Sequence, residues 1–292
     1  GYFLFVAQYL QLVLGLSQVV PAEEVIAVVN TGDDFSHLGL HISPDIDTLL
    51  YTLSGKANAL QGWGREGESW SFMAALAELG GEDWFNLGDM DLALHVLRTA
   101  ALAEGQPLSQ ITAGFAKGWQ IEATILPMSD DPVATVIDCD EGALAFQRYF
   151  VERRCAPVVR RVRFEGADQA QPAPGVLEAI ANAEAVLIAP SNPFLSVDPL
   201  PASPAIRAAL GGCRAPVVAV SPIVGGVVLK GPTAAFMAHA GLPVGAAGIA
   251  RAYAGLLDGL LADEADGVVD VRVEIADTLM IERGPIRIGI VG

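Results

Sequence analysis

Residues Val28 to Thr48 read VVNTGDDFSHLGLHISPDIDT. The apolar, β-branched run from Val25 to Val29 that leads into them predicts a central parallel strand. The run breaks at Asn30-Thr31-Gly32, and two adjacent carboxylates follow, Asp33 and Asp34. After a loop bearing His37 and His41, Ser43 is the predicted N-cap and Pro44 the first residue of a helix. That helix carries Asp45 and Asp47 in its first turn and runs through Leu49, Leu50 and Leu53 to Gly55. Carboxylates massed at a strand end and a helix start are badly placed for a core. They suit a metal ion and a phosphate or polar ligand at the C-terminal edge of a parallel sheet.

Composition narrows the partners. The chain has 292 residues with 17 Lys+Arg against 34 Asp+Glu, a net charge of −17. Lys56, Lys117 and Lys230 are its only lysines. A nucleic-acid groove or an anionic membrane surface needs clustered positive charge, so neither partner is expected. A small anionic ligand is compatible, because backbone N–H groups, a few Arg and a divalent cation can hold one locally. Cys139, Cys155 and Cys213 have no metal-ligand spacing and read as structural thiols of a reduced cytoplasmic protein. Tyr2 to Val20 is nearly all apolar, but it lacks the basic start of a signal peptide and runs directly into Pro21. It reads as a buried strand and helix rather than a membrane span.

Working outward, helices are predicted at about 68–79, 89–104 and 107–117. A hairpin-rich section follows from Gln120, with strands in IEATILPM, ATVID, GALAFQRYFV and PVVRRVRF. After Pro172 the pattern alternates again: helices at 174–183, 203–211 and 232–240, strands at 185–189 and 216–220, a helical stretch at 248–262, and last strands at 267–270 and 271–276. The fold class expected is α/β, a Rossmann-like, doubly wound, mostly parallel sheet in one domain. Its core spans about 1–55 and 165–280, and a helical and β-hairpin insertion occupies about 56–164.

Three strand ends would share one edge of that sheet: Asn30-Thr-Gly-Asp-Asp34, Pro190-Ser-Asn-Pro193, and Ser221-Pro-Ile-Val-Gly-Gly226, with Lys230-Gly-Pro-Thr233 opening the next helix. Small residues there admit a phosphate close to the backbone. Each motif also has a plain reading. The Pro/Ser/Asn stretches can be turns. Asp45 can complement the helix dipole while Asp47, two residues on and off that face, points into the cleft. Asp89, Asp91, Asp130 and Asp131 can be ordinary turn or helix-start acids. Arg148, Arg153, Arg154, Arg160, Arg161 and Arg163 form either a phosphate-facing wall or a solvated hairpin face. No serine-nucleophile elbow, Walker A loop or HExxH pair occurs.

Asn30-Thr-Gly-Asp-Asp-Phe, Ser43-Pro-Asp-Ile-Asp-Thr, Leu87-Gly-Asp-Met-Asp-Leu92, Leu126-Pro-Met-Ser-Asp-Asp131, Pro190-Ser-Asn-Pro, Val220-Ser-Pro-Ile-Val-Gly-Gly226 and Asp277-Thr-Leu-Met280 come in this order. Together they resemble the 2-phospho-L-lactate transferase family of coenzyme F420 biosynthesis, bacterial branch, over about residues 12–280. The resemblance implies a Mg2+-dependent transferase. It would join a phosphorylated three-carbon acid (2-phospholactate, phosphoenolpyruvate or phosphoglycerate) from its guanosine diphosphate-activated donor to the deazaflavin Fo, with GMP leaving.

The resemblance also implies roles: Asp47 and Asn86 on Fo, Asp33, Asp34 and Asp45 as metal or Fo neighbours, and Ser191, Asn192, Ser221 and Gly225 at the guanosine diphosphate end. Asp33 and Asp45 are the expected metal ligands, and Asp45 and Asp47 the expected catalytic pair. A homodimer is implied, and Asp47→Asn is expected to impair Fo binding with folding intact. The family's N-terminal loop, of the type GGTGGAK, would fall near Phe5 to Gln11, where this chain reads FVAQYLQ. Two further readings are a non-catalytic nucleotide- or sugar-nucleotide-binding regulator on the same fold, and an inactive remnant that still binds Fo.

Overall fold

In a computed structural model, residues 2–6, 11–58, 64–228, 231–266, 273–275, 279–283 and 286–290 are described. The N-terminal part runs β1 (Tyr2–Val6), α1 (Gln11–Val19), β2 (Val25–Val29), β3 (Phe35–His37), β4 (Leu40–Ile42) and α2 (Pro44–Leu53). Then come α3 (Ser71–Glu78), α4 (Asp91–Ala103), α5 (Leu108–Gly118), β5 (Thr124–Pro127), β6 (Ala134–Cys139), β7 (Gly142–Ala145) and β8 (Val159–Glu165). The remainder is α6 (Val176–Ala181), β9 (Ala185–Ile188), α7 (Pro199–Ala202), α8 (Pro204–Gly211), β10 (Val217–Val220), β11 (Ile223–Val224), β12 (Val227–Val228), α9 (Thr233–His239), α10 (Ala246–Ala252), β13 (Gly259–Ala262), β14 (Val273–Ile275), β15 (Leu279–Arg283) and β16 (Ile286–Ile290).

The main sheet has seven strands in the order β14-β13-β10-β9-β1-β2-β5. Every pairing within it is parallel. From β1 the chain steps outward through β2 to β5, then returns to β9 and steps the other way to β14. The reversal lies between β1 and β9, and parallel strands bring all their C-terminal ends to one edge. A crevice at that edge, where neighbouring connections leave in opposite directions, is where sheets of this kind take ligands.

Alternate residues of each strand enter two different cores. Val25, Ala27 and Val29 pack with α1, α2 and α5 side chains such as Val13, Leu16, Ile46, Leu49, Leu50 and Ala116. Val28, Val186, Ile188, Val217 and Ala219 pack on the opposite face with Val176, Ile180, Ile206, Leu210 and Ile249. Strands covered on both faces need continuous apolar runs, which is why VIAVV and AVLI are legible as strands. Each such fully buried aliphatic side chain contributes roughly 1.5–3 kcal/mol.

Outside the main sheet, β7-β6-β8 form a three-stranded antiparallel sheet, and β3-β4, β11-β12 and β15-β16 are two-stranded hairpins. Three expectations need correction. β5, expected inside the insertion of residues 56–164, is an edge strand of the main sheet, paired with β2 from Ile26↔Thr124 to Val29↔Pro127. The expected helix at 248–262 stops at Ala252, and Gly259–Ala262 is instead strand β13, paired with β10. A four-residue apolar run has no period long enough to separate helix from strand. The end of GALAFQRYFV is not strand either, since Arg148–Glu152 is a π-helical turn. The strand expected at 267–270 falls outside the described residues, as do Lys230 and positions 7–10 after β1. Among the described residues, no helix is long and apolar enough to cross a membrane.

Candidate active site

Asn30, the residue that ends β2, organises the edge. Its Oδ1 accepts from the Gly32 amide at 2.7 Å, closing a tight turn, and its Nδ2 donates to Asp45 Oδ2 at 3.1 Å. The turn thereby ties the strand end to the first turn of α2. Gly32 leaves no room for a side chain: a Cβ there would lie 2.8 Å from Thr135 Oγ1, 3.0 Å from Asn30 Oδ1 and 3.1 Å from Pro199 Cβ. Ser43 stands at the N-cap position, yet its hydroxyl does not cap the helix. It donates to Asp34 Oδ2 at 2.6 Å, and His41 Nε2 lies 3.2 Å from the same oxygen.

The four acids of this stretch all turn inward. Asp33, Asp45 and Asp47 are only 3%, 7% and 4% exposed. Burial, then the Asp45 charge, push the Asp33 carboxyl well above the usual carboxylate range, with a further contribution from Asp34. Burial pushes Asp45 up to about 7, against the hydrogen bond from Asn30, with the charges of Asp34 and Asp47 adding to the rise. Burial also raises Asp34, and His41, Ser43 and Arg98 oppose that. One oxygen of Asp33 and one of Asp34 are buried with no hydrogen-bond partner. Unpaired buried carboxylate oxygens are costly unless a proton or a cation meets them.

Asp47 stands apart from the other three. Both of its oxygens accept from the guanidinium of Arg98, through Nη2 to Oδ1 and through Nη1 to Oδ2, the latter at 3.2 Å. Arg98 is completely buried and also donates to the His41 carbonyl at 3.3 Å. His95 lies between two acids, its Nδ1 3.6 Å from Asp47 Oδ2 and its Nε2 3.2 Å from Asp91 Oδ2. Asp91 in turn accepts from the Tyr51 hydroxyl. Burial would raise Asp91, but His95 and the Tyr51 hydroxyl bring it below its ordinary range. A row of close side chains, Tyr51–Asp91–His95–Asp47–Arg98, thus joins α2 to α4, with both His95 nitrogens left without a hydrogen-bond partner. Sequence reasoning missed Arg98 and His95 as site residues. The usable signal was the spacing of Asp91, His95 and Arg98, four and three residues apart on one helix face.

The other strand ends are built from neutral groups. Ser191 is 1% exposed, and its hydroxyl has no partner. Asn192 Oδ1 caps the turn Pro193–Val197 by accepting from the Phe194 amide at 3.0 Å, which leaves its Nδ2 unpaired. Ser221 Oγ accepts from the Ile223 amide at 3.1 Å, a turn role. Gly225, with φ +57°, sits between β11 and β12, where a side chain would be strained. Asn86 is exposed on the segment leading into α4, the helix of His95 and Arg98.

Several motif acids are structural. Asp89 accepts from Ser69 Oγ at 2.6 Å and from the Ser71 and Phe72 amides at 3.0 Å, capping α3. Asp130 accepts from the Ser109 amide and hydroxyl at 2.6 and 2.8 Å, at the start of α5. Asp131 accepts from the Gln171 amide at 2.8 Å. The arginines follow the hairpin reading: Arg148 pairs with Glu82 and Glu152, Arg153 with Glu141, and Arg163 with Asp138 and Glu165. His37 is buried in a ring cluster, with centroids 5.0 Å from Trp84 and 5.9 Å from Phe85.

Among the described residues, no group of three or more His, Cys, Asp or Glu converges on a metal-sized point. Two carboxylates can still share a Mg2+ whose other positions are filled by water and substrate phosphate, a common arrangement for that ion. The edge therefore offers crowded acids that want a cation on one side and unpaired neutral donors, Ser191 and Asn192, on the other.

The family described as 2-phospho-L-lactate transferase CofD matches residues 9–280. A phosphoenolpyruvate transferase of Streptomyces griseus is 42% identical over 268 residues, covering 90% of this chain and 84% of that protein. A 2-phospho-L-lactate transferase of Methanosarcina mazei is 38% identical over 273 residues, covering 91% of this chain and 89% of that one. Among solved structures, a UPF0052-family protein of Bacillus halodurans aligns with a TM-score of 0.56 at 18% identity, over 92% of this chain and 82% of that chain, a likeness of fold alone.

Proposed function

The chain belongs to the 2-phospho-L-lactate transferase CofD family, and from that premise we propose that it transfers a phosphorylated three-carbon acid from a guanosine diphosphate-activated donor to the deazaflavin Fo, releasing GMP. The observation that carries this reading is the crowd of acids Asp33, Asp34 and Asp45 at the C-terminal edge of β2, in which one oxygen of Asp33 and one of Asp34 are buried without a partner. Asp33 and Asp45 are the residues that would hold Mg2+, and Asn30 orients Asp45 for it. When bound, that ion would supply positive charge against the donor's phosphates.

Transfer of this kind relies on positioning and charge more than on covalent help. Ser191 and Asn192 supply neutral donors to the donor's phosphates. Asp47, braced by Arg98, and Asn86 face the acceptor. On this reading Asp45 and Asp47 are the acids that flank the attacking ribityl hydroxyl. On the same reading the chain acts in the cytoplasm as a homodimer. The strand order and the two helical cores support a doubly wound, Rossmann-like description.

The test is to incubate the chain with Fo, Mg2+ and each of the lactyl-, enolpyruvyl- and glyceryl-linked guanosine diphosphates, following GMP and the phosphodiester product. Product with any one donor supports the proposal and identifies the donor. Fo binding without turnover gives the inactive remnant, and neither binding nor turnover rejects both.

A further inference from the structure

Thr135 comes from β6, in the three-stranded sheet, and is about a hundred residues away from the acids in sequence. Its amide donates to the Gly32 carbonyl at 2.7 Å. Its hydroxyl lies over the same turn, so that a Cβ on Gly32 would be 2.8 Å from Thr135 Oγ1. Thr135 is 2% exposed, and Oγ1 has no hydrogen-bond partner, in the same state as Oδ1 of the neighbouring Asp33. A buried hydroxyl without a partner is destabilising. Valine would fill the same space without that cost, so the hydroxyl asks for a polar occupant beside it.

We propose that Thr135 is a positioning residue for the cation site: its unpaired hydroxyl would donate to one oxygen of Asp33 when the other meets a divalent metal ion. This rests on the reading that Asp33 holds such an ion. A carboxylate with one oxygen fixed loses less freedom on binding, and partners of this outer kind are typically worth about 10–100-fold in metal affinity. The inserted sheet would then contribute to the site without touching the reacting atoms, and the bare Gly32 would be what lets it approach.

The experiment measures Mn2+ affinity by electron paramagnetic resonance in the presence of GDP, a readout that needs no turnover. Thr135→Val is expected to weaken Mn2+ about 10–100-fold, Thr135→Ser to restore binding, and Thr135→Val to add nothing in an Asp33→Asn background. If Thr135→Val folds poorly, comparing Thr135→Ser with Thr135→Ala makes the same distinction. A folded Thr135→Val or Thr135→Ala variant with unchanged Mn2+ affinity overturns the proposal. So does an equal further loss in the Asp33→Asn background, which marks a general structural role. Absence of Mn2+ binding by the unaltered chain rejects the cation reading itself, and this proposal with it.

Discussion

Asp47 and Arg98, 51 positions apart, form a two-point ion pair in which both partners are buried. The pair changes what Asp47 can do. A carboxylate already accepting from Nη1 and Nη2 presents a fixed, partly neutralised edge to a ligand rather than a free charge. It also changes the expectation that Asp47→Asn leaves folding intact, because that substitution strands a guanidinium inside the protein.

Removing one partner of a buried pair typically costs about 3–5 kcal/mol, whereas replacing both with apolar or neutral groups is often neutral. Arg98→Met is therefore expected to lower unfolding stability by about that amount. Asp47→Asn with Arg98→Met together should recover most of it. Urea titration with a double-mutant cycle measures this, and additive losses would argue against the pair as a unit.

Gly32→Ala is expected to destabilise the chain by about 1–3 kcal/mol through overpacking. The added methyl meets Thr135 Oγ1, Asn30 Oδ1 and Pro199 Cβ at once. A second substitution, Thr135→Ala, should relieve part of the loss, as read from the two urea midpoints.

Asp198, at the end of the π-helical turn before α7, gives a pH prediction away from the site. Burial raises its carboxyl to about 7, and Arg207 only partly opposes this. The folded state thus holds a proton that the unfolded chain releases near pH 4. The favourable contribution is complete below that pH and is lost as pH rises through about 7. Asp198→Asn, which cannot ionise, should raise Tm at pH 8 and leave it almost unchanged at pH 4. Parallel Tm–pH curves for the two proteins would show that Asp198 does not titrate in this window.

Asp130→Ala should cost about 0.5–2 kcal/mol, the usual loss for an acid that caps a helix start. Among the described residues, it accepts from the amide and hydroxyl of Ser109. Mn2+ affinity should stay unchanged, whereas Asp33→Asn should weaken it while leaving it measurable. Thermal melts and metal titrations of the two variants separate a structural acid from a site acid of the same chain.

The two end-of-strand loops illustrate what local pattern can convey. VIAVV and AVLI are apolar without interruption because both faces of their strands are covered, and such a run can be read without a partner. Parallel strands then put Asn30, Ser191 and Ser221 on one edge by geometry alone, so their sharing of that edge was legible. The helix at 248–262 was misread because GLLA is too short to show a period, and β5 because strand pairing is a long-range fact.

Tertiary structure decided the state of each acid. Asp33, Asp45, Asp47, Asp89 and Asp130 look alike in sequence, each an aspartate near a turn or helix start. Burial and partners drawn from distant elements make Asp89 and Asp130 caps, Asp47 half of an ion pair with Arg98, and Asp33 and Asp45 the acids left short of counter-charge. Composition, hydrophobic period and motif order determined the α/β class, the family resemblance and the edge where ligands would sit. Which carboxylate is free there depends on side chains such as Arg98 and Thr135, brought in by α4 and β6. Desolvation and Coulomb energies depend on distance in space, and separation along the chain does not report that distance.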